Sequence, residues 1–326
     1  MIVGQDRALH QFASAWASRK IHHAWLLAGP RGVGKARFAL AAARRVLAEA
    51  AGPPIDLPRL ETRDGHPIVK LVTAGSHPDM RWLERLVNEK TGNLARNISV
   101  EQIRELGEFL TLTPALSSWR VAVIDTVDEL ETSGANALLK ILEEPPPNTL
   151  FFLVSHAPGR LLPTIRSRCR RLEFDNLGDD AMTSILASNA PELDSAERER
   201  IVAMSFGSAG RAVAFAELGL AKLEDAAIAI LRNGDPTNAR RADLASELGK
   251  KPAAARYAAF LDLAPSLIAR EARGLKGPAL ERALDAYAKA RELATLAPRL
   301  SLDPAATIFQ VGSILAEVAE PVSLKR

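Results

Sequence analysis

The chain has 326 residues, a net charge of +3 at pH 7, and a composition that is 47% hydrophobic and 25% charged. This composition is typical of a folded globular protein rather than a disordered one, and so small a net charge does not by itself indicate a nucleic-acid-binding protein. The single cysteine excludes an internal disulfide and a zinc site built from several cysteines. The sequence has no signal-peptide pattern, and its apolar runs are far shorter than the roughly 20 residues of a membrane helix. We therefore expect a cytoplasmic protein with no membrane partner.

The most informative motif follows the first predicted strand. The apolar residues Ala24–Ala28 predict a buried strand, the glycine-rich segment Gly29–Lys35 follows at once, and the Ala- and Leu-rich residues 36–51 predict a helix. In this context a G-x-x-x-x-G-K loop cradles phosphates with its backbone N–H groups, and its lysine is the main phosphate contact. The predicted nucleotide-binding positions of the loop are Gly29, Gly32, Gly34, Lys35 and Ala36.

Two parts needed for nucleotide hydrolysis are missing. The motif should end in Ser or Thr, whose oxygen ligates Mg²⁺, but the residue is Ala36, and a methyl group cannot ligate a metal ion. The apolar run Val121–Ile124 predicts a second buried strand that ends at Asp125, within reach of Mg²⁺. The next position, where an acid would orient the attacking water, is Thr126, a poor base. We therefore predict a site that does not hydrolyse nucleotide.

Two further acids follow closely and leave an alternative. Asp128 and Glu129 lie on the turn after Thr126, and we expect them to cap that turn or face solvent. The alternative is that one of these carboxylates takes the place of the missing acid and activates water.

The rest of the first half contains predicted helices, strands and one irregular segment. A helix is predicted over residues 99–109, with a serine at its N-cap, and another over residues 133–144, closed by prolines. Leu150–Val154 predicts another buried strand, and such continuous apolar runs are typical of a parallel sheet covered on both faces. Residues 52–67, rich in proline, glycine and charge, predict a loop.

After about Phe174 no strand-like run remains. Segments rich in Ala, Leu, Glu and Arg predict helices, with breaks near Gly207, Gly234 and Gly277. We expect a small helical lid followed by a separate helical bundle. Arg211 opens a helix in the predicted lid, where it either reaches back to bound phosphates or is an ordinary surface arginine.

Five arginines lie within a short stretch after the last predicted strand. Positive charges this close repel one another unless anions are near. They either face solvent and DNA phosphates, or one of them points at a phosphate held by another subunit, where an arginine accelerates phosphoryl transfer by about 10³–10⁵. These residues are Arg160, Arg166, Arg168, Arg170 and Arg171.

Four further segments form a recognisable set. They are Ile-Val-Gly-Gln over residues 2–5, His-Ala-Trp-Leu-Leu over 23–27, Ala-Asn-Ala-Leu-Leu-Lys-Ile-Leu-Glu-Glu-Pro-Pro over 135–146, and Ile-Arg-Ser-Arg-Cys over 165–169. Together with the altered phosphate loop they resemble the AAA+ clamp-loader family of the bacterial DNA polymerase III. The resemblance covers about residues 1–215; the helices beyond it are similar to the family's collar domain in general character only.

The resemblance implies a fold and a domain organisation. It implies an α/β AAA+ P-loop domain, a parallel sheet with flanking helices, over residues 1–174. A small helical lid domain is implied for residues 175–216, and an all-α C-terminal collar domain for residues 217–326.

It also implies roles for particular residues. Arg168 would act in trans as an arginine finger on a neighbour's ATP, with Ser167, Arg168 and Cys169 at the subunit interface. Ser155 would hold a sensor position after the strand 150–154, and Arg211 a second one. The chain would be a non-hydrolysing accessory subunit, not an enzyme on its own, in a ring with gamma/tau ATPase subunits and the delta subunit. That ring places the beta sliding clamp on primed DNA.

Two departures from the family and two rivals remain. Many relatives carry a four-cysteine zinc module after the first helix, whereas residues 52–67 contain no cysteine, so we predict no zinc and no other metal site. The retained Gly34 and Lys35 leave ATP or ADP binding without hydrolysis open, with no cofactor required.

One rival is a gamma/tau-like clamp-loader ATPase that uses Asp125. The other is a small-molecule P-loop kinase, which the helical C-terminal region and the Ser-Arg-Cys sequence argue against.

Overall fold

The computed structural model describes residues 2–63, 65–87 and 94–319. The chain forms two compact units, Met1–Ala181 and Met182–Arg326. The first unit contains a β-sheet with helices on both faces, and the second unit is built from helices.

The sheet has five parallel strands in the order β2-β3-β4-β1-β5. The strand that precedes the phosphate loop is therefore flanked on both sides, and the sheet edges are β2 and β5. The strands are β1 (Ala24–Ala28), β2 (Met80–Leu83), β3 (Arg120–Asp125), β4 (Thr149–Ser155) and β5 (Arg170–Glu173).

Helices cover both faces of the sheet. On the first face pack α1, α2 and α3, and on the second α4, α5 and α6. In β3, Val121 and Val123 join the first core while Ala122 and Ile124 join the second, which is why this strand reads as a continuous apolar run. The helices are α1 (Asp6–Ala17), α2 (Lys35–Ala51), α3 (Pro67–Thr73), α4 (Val100–Thr111), α5 (Thr132–Glu143) and α6 (Pro163–Ser167).

The predicted α/β elements are confirmed, including the parallel sheet with flanking helices. Ser99 caps α4 through a reciprocal capping box with Gln102, as its position before the apolar periodicity indicated. Five α-helices and strands of the first unit had no counterpart in the prediction: the edge strands β2 and β5 and the helices α1, α3 and α6. Edge strands are covered less than central ones, so their sequences carry polar residues such as Arg81, Arg170 and Arg171 and lack the apolar run of a buried strand.

In the second unit, every regular element among the described residues is a helix, as the sequence predicted beyond Phe174. Its interior holds a buried carboxylate, Glu224, which pairs with Arg200 at 3.3 Å and with Arg270 at 2.9 Å and so joins three helices. No described helix of the chain has the length and apolar character that crossing a membrane requires. The helices are α7 (Asp179–Asn189, which begins in the first unit), α8 (Ser195–Ser205), α9 (Ala209–Glu217), α10 (Ala221–Asn233), α11 (Ala239–Leu248), α12 (Ala254–Ala272), α13 (Gly277–Leu300) and α14 (Pro304–Ala316).

Candidate functional site

The candidate site lies at the carboxyl ends of the central strands. In the sheet register, Ala28 at the end of β1 is opposite Ser155 at the end of β4, and Val154 is opposite Asp125 at the end of β3. Because the strands are parallel, their ends meet at one edge, where open α/β sheets bind ligands. The phosphate loop, Asp125 and Ser155 are therefore brought together as the sequence predicted.

The backbone of the phosphate loop requires glycine at two of its predicted positions. A Cβ on Gly29 would lie 2.1 Å from the carbonyl oxygen of Phe174. Gly34 has a φ of +98° and is the N-cap of α2, with no side chain capping the helix. The first N–H groups of a helix have no intrahelical acceptor and the dipole there favours negative charge, so this loop has the backbone of an anion cradle.

Lys35 is folded back onto the loop. The residue is 3% exposed, and its ammonium donates to the carbonyl oxygens of Gly29, at 2.6 Å, and of Pro30. Burial lowers the pKa of Lys35 to about 8, although the carboxylates of Asp128 and Asp125 oppose that shift. The lysine is thus close to the loop that would hold phosphates, with its charge already engaged by backbone oxygens.

The residues present fit a nucleotide phosphate better than they fit a magnesium ion. The anion cradle and Lys35 could hold phosphate oxygens. For magnesium the site offers the carboxylate of Asp125, but the loop residue that would add an oxygen ligand is Ala36. Burial raises the pKa of Asp125, whereas a long hydrogen bond of 3.4 Å from the Thr126 hydroxyl lowers it. One carboxylate without the neighbouring hydroxyl is an incomplete magnesium site.

The position after Asp125 is occupied by a hydrogen-bonded pair. Thr126 Oγ1 lies 3.1 Å from Nε2 of His156, whose Nδ1 is buried without a partner in the described part of the chain. Burial, together with the positive charges of Lys35 and Arg31, lowers the pKa of His156 to about 4, so the ring is neutral near pH 7. His156 was not among the predicted site residues. Its place directly after a buried strand, next to Ser155, was the available signal.

Asp128 connects the turn after β3 to the end of β4. Its carboxylate accepts a hydrogen bond from the hydroxyl of Ser155 at 2.7 Å and another from the backbone N–H of His156 at 2.5 Å. Ser155 itself is fully buried. Both carboxylate oxygens of Asp128 are therefore engaged in bonds that fix the predicted sensor position.

Glu129 is also held by its neighbours. Its carboxylate pairs with Arg31 of the phosphate loop at 2.9 Å and with Arg85 at 2.8 Å, and its side chain is 19% exposed. We expected Asp128 and Glu129 to cap the turn or face solvent. That expectation is wrong, because both carboxylates bind groups of neighbouring segments. These partners lie far away in the sequence, so the contacts could not be predicted from it.

Arg168 lies at the corner between α5 and α6. Its Nη2 is 2.7 Å from Oε1 of Glu143, and its Nη1 donates to the carbonyl oxygen of Thr164 at 3.0 Å. Ser167 donates its hydroxyl to the same carbonyl at 3.0 Å. Cys169 packs against the core of the first unit, and burial raises the pKa of its thiol to about 12. The three predicted interface residues thus lie together, with Arg168 retaining 34% side-chain exposure.

Two of the other four arginines of this stretch have partners of their own. Arg170 places its guanidinium over the ring of Trp25, 5.1 Å from the centroid. Arg171 pairs with Glu173 at 2.5 Å. Arg160 and Arg166 make no ion pair within the described residues. Three of the five positive charges in this stretch therefore have a partner, and that of Arg168 is Glu143 at the end of α5.

Arg211 lies in the second unit, near the start of α9. Its backbone N–H is capped by the Ser208 hydroxyl at 3.3 Å, and its Nη1 lies 3.4 Å from the hydroxyl of Ser266. The side chain lines a cavity of about 410 Å³ together with Arg273 and Arg291. A role for Arg211 toward bound phosphates stays a prediction.

The described residues contain no group of three or more His, Cys, Asp or Glu side chains placed to hold a metal ion. The absence of zinc remains a prediction from the cysteine content.

The sequence comparisons with known proteins find subunits of DNA polymerase III. Residues 4–178 match the family described as "DNA polymerase III, delta subunit". The chain is 36% identical over 189 residues to the DNA polymerase III subunit delta' of Pseudomonas aeruginosa, covering 57% of this chain and 53% of that protein. It is 33% identical over 181 residues to subunit tau of Bacillus subtilis, covering 56% and 30%, and 32% identical over 185 residues to subunit gamma of Buchnera aphidicola, covering 57% and 47%. The matched region thus spans about half or less of the length of these relatives.

A solved structure of a gamma subunit-related protein from Thermotoga maritima aligns with a TM-score of 0.48 at 17% identity, over 95% of this chain and 99% of that one. A likeness of this degree carries no argument about function. The family match is different, because it covers more than half of the chain. This chain belongs to the DNA polymerase III delta-subunit family of clamp-loader proteins, which have an AAA+ fold.

Proposed function

We propose that the chain is a delta-prime-type clamp-loader subunit that does not hydrolyse ATP itself. In this proposal it occupies a cytoplasmic ring with gamma/tau ATPase subunits and the delta subunit. It supports loading of the beta sliding clamp onto primed DNA and places Arg168 on the ATP of a neighbouring ATPase. The observation that carries the proposal is the hydrogen bond between Thr126 and the buried ring of His156, at the position where a water-orienting acid is needed.

The absence of hydrolysis is supported by how the nearby groups are engaged. Thr126 and a neutral His156 provide no carboxylate next to Asp125. Glu84 acts on Asp125 through its charge, and the two carboxylates that follow Thr126 in the sequence, Asp128 and Glu129, accept hydrogen bonds or ion pairs from fixed partners. A general base must be free to accept a proton from water in a suitable geometry. Neither carboxylate meets that condition without breaking the contacts that hold it.

The arginine-finger role is supported by the placement of Arg168. The guanidinium is partly exposed at a corner of the first unit, and a short helix and a neighbouring carboxylate hold it. An arginine supplied to a neighbour's phosphoryl-transfer site stabilises charge in the transition state and is worth about 10³–10⁵ in rate, or roughly 4–7 kcal/mol. A chain with an incomplete site of its own can contribute in this way.

The remaining assignments follow from the family and stay proposals. We propose an AAA+ domain over residues 1–174, a lid over 175–216 and a collar over 217–326, of which residues 320–326 lie outside the described residues. Ser155 and Arg211 would act as sensor residues. ATP or ADP could occupy the phosphate loop without turnover, and no zinc is proposed.

Reconstitution of the complex tests this proposal. ATPase and delta subunits would be combined with this chain, and loading of the beta clamp onto primed DNA would be measured together with ATP turnover. We expect loading to require this chain, and turnover to fall when Arg168→Ala replaces it. Loading at full rate without the chain would overturn the proposal.

A gamma/tau-like ATPase is the second candidate. It is favoured by the identity of about one third with tau and gamma subunits and by the retained Lys35 and Asp125. This candidate requires turnover by the chain itself, which depends on Lys35.

A further inference from the structure

We infer that Glu143 is a positioning residue for Arg168, an inference that rests on the proposed role of Arg168 as an arginine finger. Glu143 is the last residue of α5, and Arg168 directly follows α6. Oε1 of Glu143 lies 2.7 Å from Nη2 of Arg168. The residues are 25 positions apart in the sequence, so the fold alone brings them together.

The corner that carries this pair is fixed by the core beneath it. Leu142, the neighbour of Glu143, and Ile165, at the centre of α6, are each 1% exposed and belong to the same core cluster. The backbone N–H of Arg168 donates to the carbonyl of Ile165 at 3.1 Å. Packed interiors permit little movement. The starting points of both side chains are therefore held at a constant separation.

The position of Glu143 is otherwise unfavourable. The carboxyl end of a helix carries partial negative charge, and two consecutive glutamates lie at this end of α5, Glu143 as its last residue and Glu144 as its C-cap. Arg168 offsets the charge of the first, whereas Glu144 makes no ion pair within the described residues. An exposed ion pair by itself adds little to stability. The pairing of one glutamate and not the other is better explained by what it does to Arg168.

The contacts define the orientation of the guanidinium. This group is planar and has five N–H donors in a fixed arrangement. Glu143 engages Nη2, and the Thr164 carbonyl engages Nη1 at 3.0 Å. Two acceptors fix the plane of the group, and its remaining N–H groups can meet the phosphate oxygens of a neighbour. Catalytic groups lose about 10²-fold in rate when displaced by about 1 Å, so a support of this kind affects turnover more than folding.

The test uses the reconstituted complex with ATP and compares three variants of this chain. Glu143→Ala should lower kcat for ATP about 3- to 10-fold, leave KM unchanged and leave the melting temperature equal to that of Glu144→Ala. Glu143→Gln should recover part of kcat, because its amide oxygen can accept the same hydrogen bond. Glu144→Ala, which removes an adjacent charge of the same sign, should behave as the unmodified chain.

Including Arg168→Ala separates the two ideas. If Arg168→Ala leaves turnover unchanged, the proposed function fails. If Arg168→Ala lowers turnover while Glu143→Ala equals Glu144→Ala, the finger stands and the inference about Glu143 is overturned. A higher kcat for Glu143→Ala also overturns it, because Glu143 would then restrain the arginine instead of positioning it.

Discussion

The phosphate-loop site and the Arg168 corner, both in the first unit, differ in how their polar groups are satisfied. Around the loop, buried groups bond to one another: Lys35 to loop carbonyls, Thr126 to His156, and Ser155 to Asp128. At the corner, Arg168 and its partner Glu143 keep 34% and 43% of their side chains exposed. A buried and internally bonded site must break contacts before it reacts, whereas the exposed corner can accept a partner's phosphate without disturbing the fold. This difference supports the proposal that the chain has no turnover of its own and promotes turnover in a neighbouring subunit.

The largest expected effect concerns the corner. Arg168→Ala should reduce ATP turnover of the reconstituted complex about 10³-fold, because a charge that stabilises the transition state is lost. Arg168→Lys should recover little, since an ammonium lacks the planar set of donors of a guanidinium. Steady-state kinetics measures both. The matched control is Arg166→Ala, an exposed arginine two residues away, and an equal loss with that variant would contradict the assignment to Arg168.

The next effect concerns the internal bonding of the loop site. Asp128→Ala removes the acceptor for the Ser155 hydroxyl and the His156 N–H, both in a shielded position. We expect the free energy of unfolding to fall by about 2–3 kcal/mol, as for hydrogen bonds to charged groups. Urea unfolding gives the value. The exposed Glu105→Ala on α4 should change it by less than about 0.5 kcal/mol, and equal changes would mean that the site is not stabilised by its own bonds.

A smaller effect is expected from Lys35. Because burial lowers the pKa of Lys35 from 10.5 to about 8, the charged ammonium destabilises the fold. This penalty is fully present below pH 8 and is relieved as pH rises toward 10.5, where the unfolded chain binds more protons than the folded one. Lys35→Met should therefore raise the free energy of unfolding by about 1–2 kcal/mol near neutral pH, with the gain shrinking toward pH 10.

Thermal unfolding across this pH range measures the difference. Lys140→Met, at an exposed position of α5, should give no such pH-dependent gain. A gain for Lys35→Met that grows with pH would contradict the burial argument.

The smallest effect is expected from His156 in acid. Burial and nearby positive charges lower its pKa from 6.5 to about 4, so the unfolded chain binds more protons between these values and stability falls as pH decreases through this window. His156→Gln should lose about 1 kcal/mol less stability than the unmodified chain over the same acidification. The exposed His10→Gln is the control, and an equal effect in both variants would show that the loss of stability in acid does not come from His156.

The sequence predicted the parts of this architecture that depend on local patterns. Three central strands, the phosphate loop and the serine cap of α4 could be identified because buried strands are continuously apolar and caps follow simple rules. The edge strands were missed because partial exposure permits polar residues there.

The contacts of the site could not be predicted for a different reason. His156 meets Thr126, and Glu129 meets Arg31, across 30 and 98 positions of the chain respectively. Nothing in the local sequence records such separations. The place of Asp125 and Ser155 could be predicted because parallel strands end at a common edge, but which side chains would bond there depends on loop conformation.

ATP turnover by the purified chain alone is the most direct test of the central claim, that this chain contributes an arginine to a neighbour's site and has no turnover of its own. The rate would be measured with saturating ATP and Mg²⁺, and Lys35→Ala would define the background. We predict no turnover above that background, with or without primed DNA. Turnover that requires Lys35 would contradict the account and identify the chain as an ATPase.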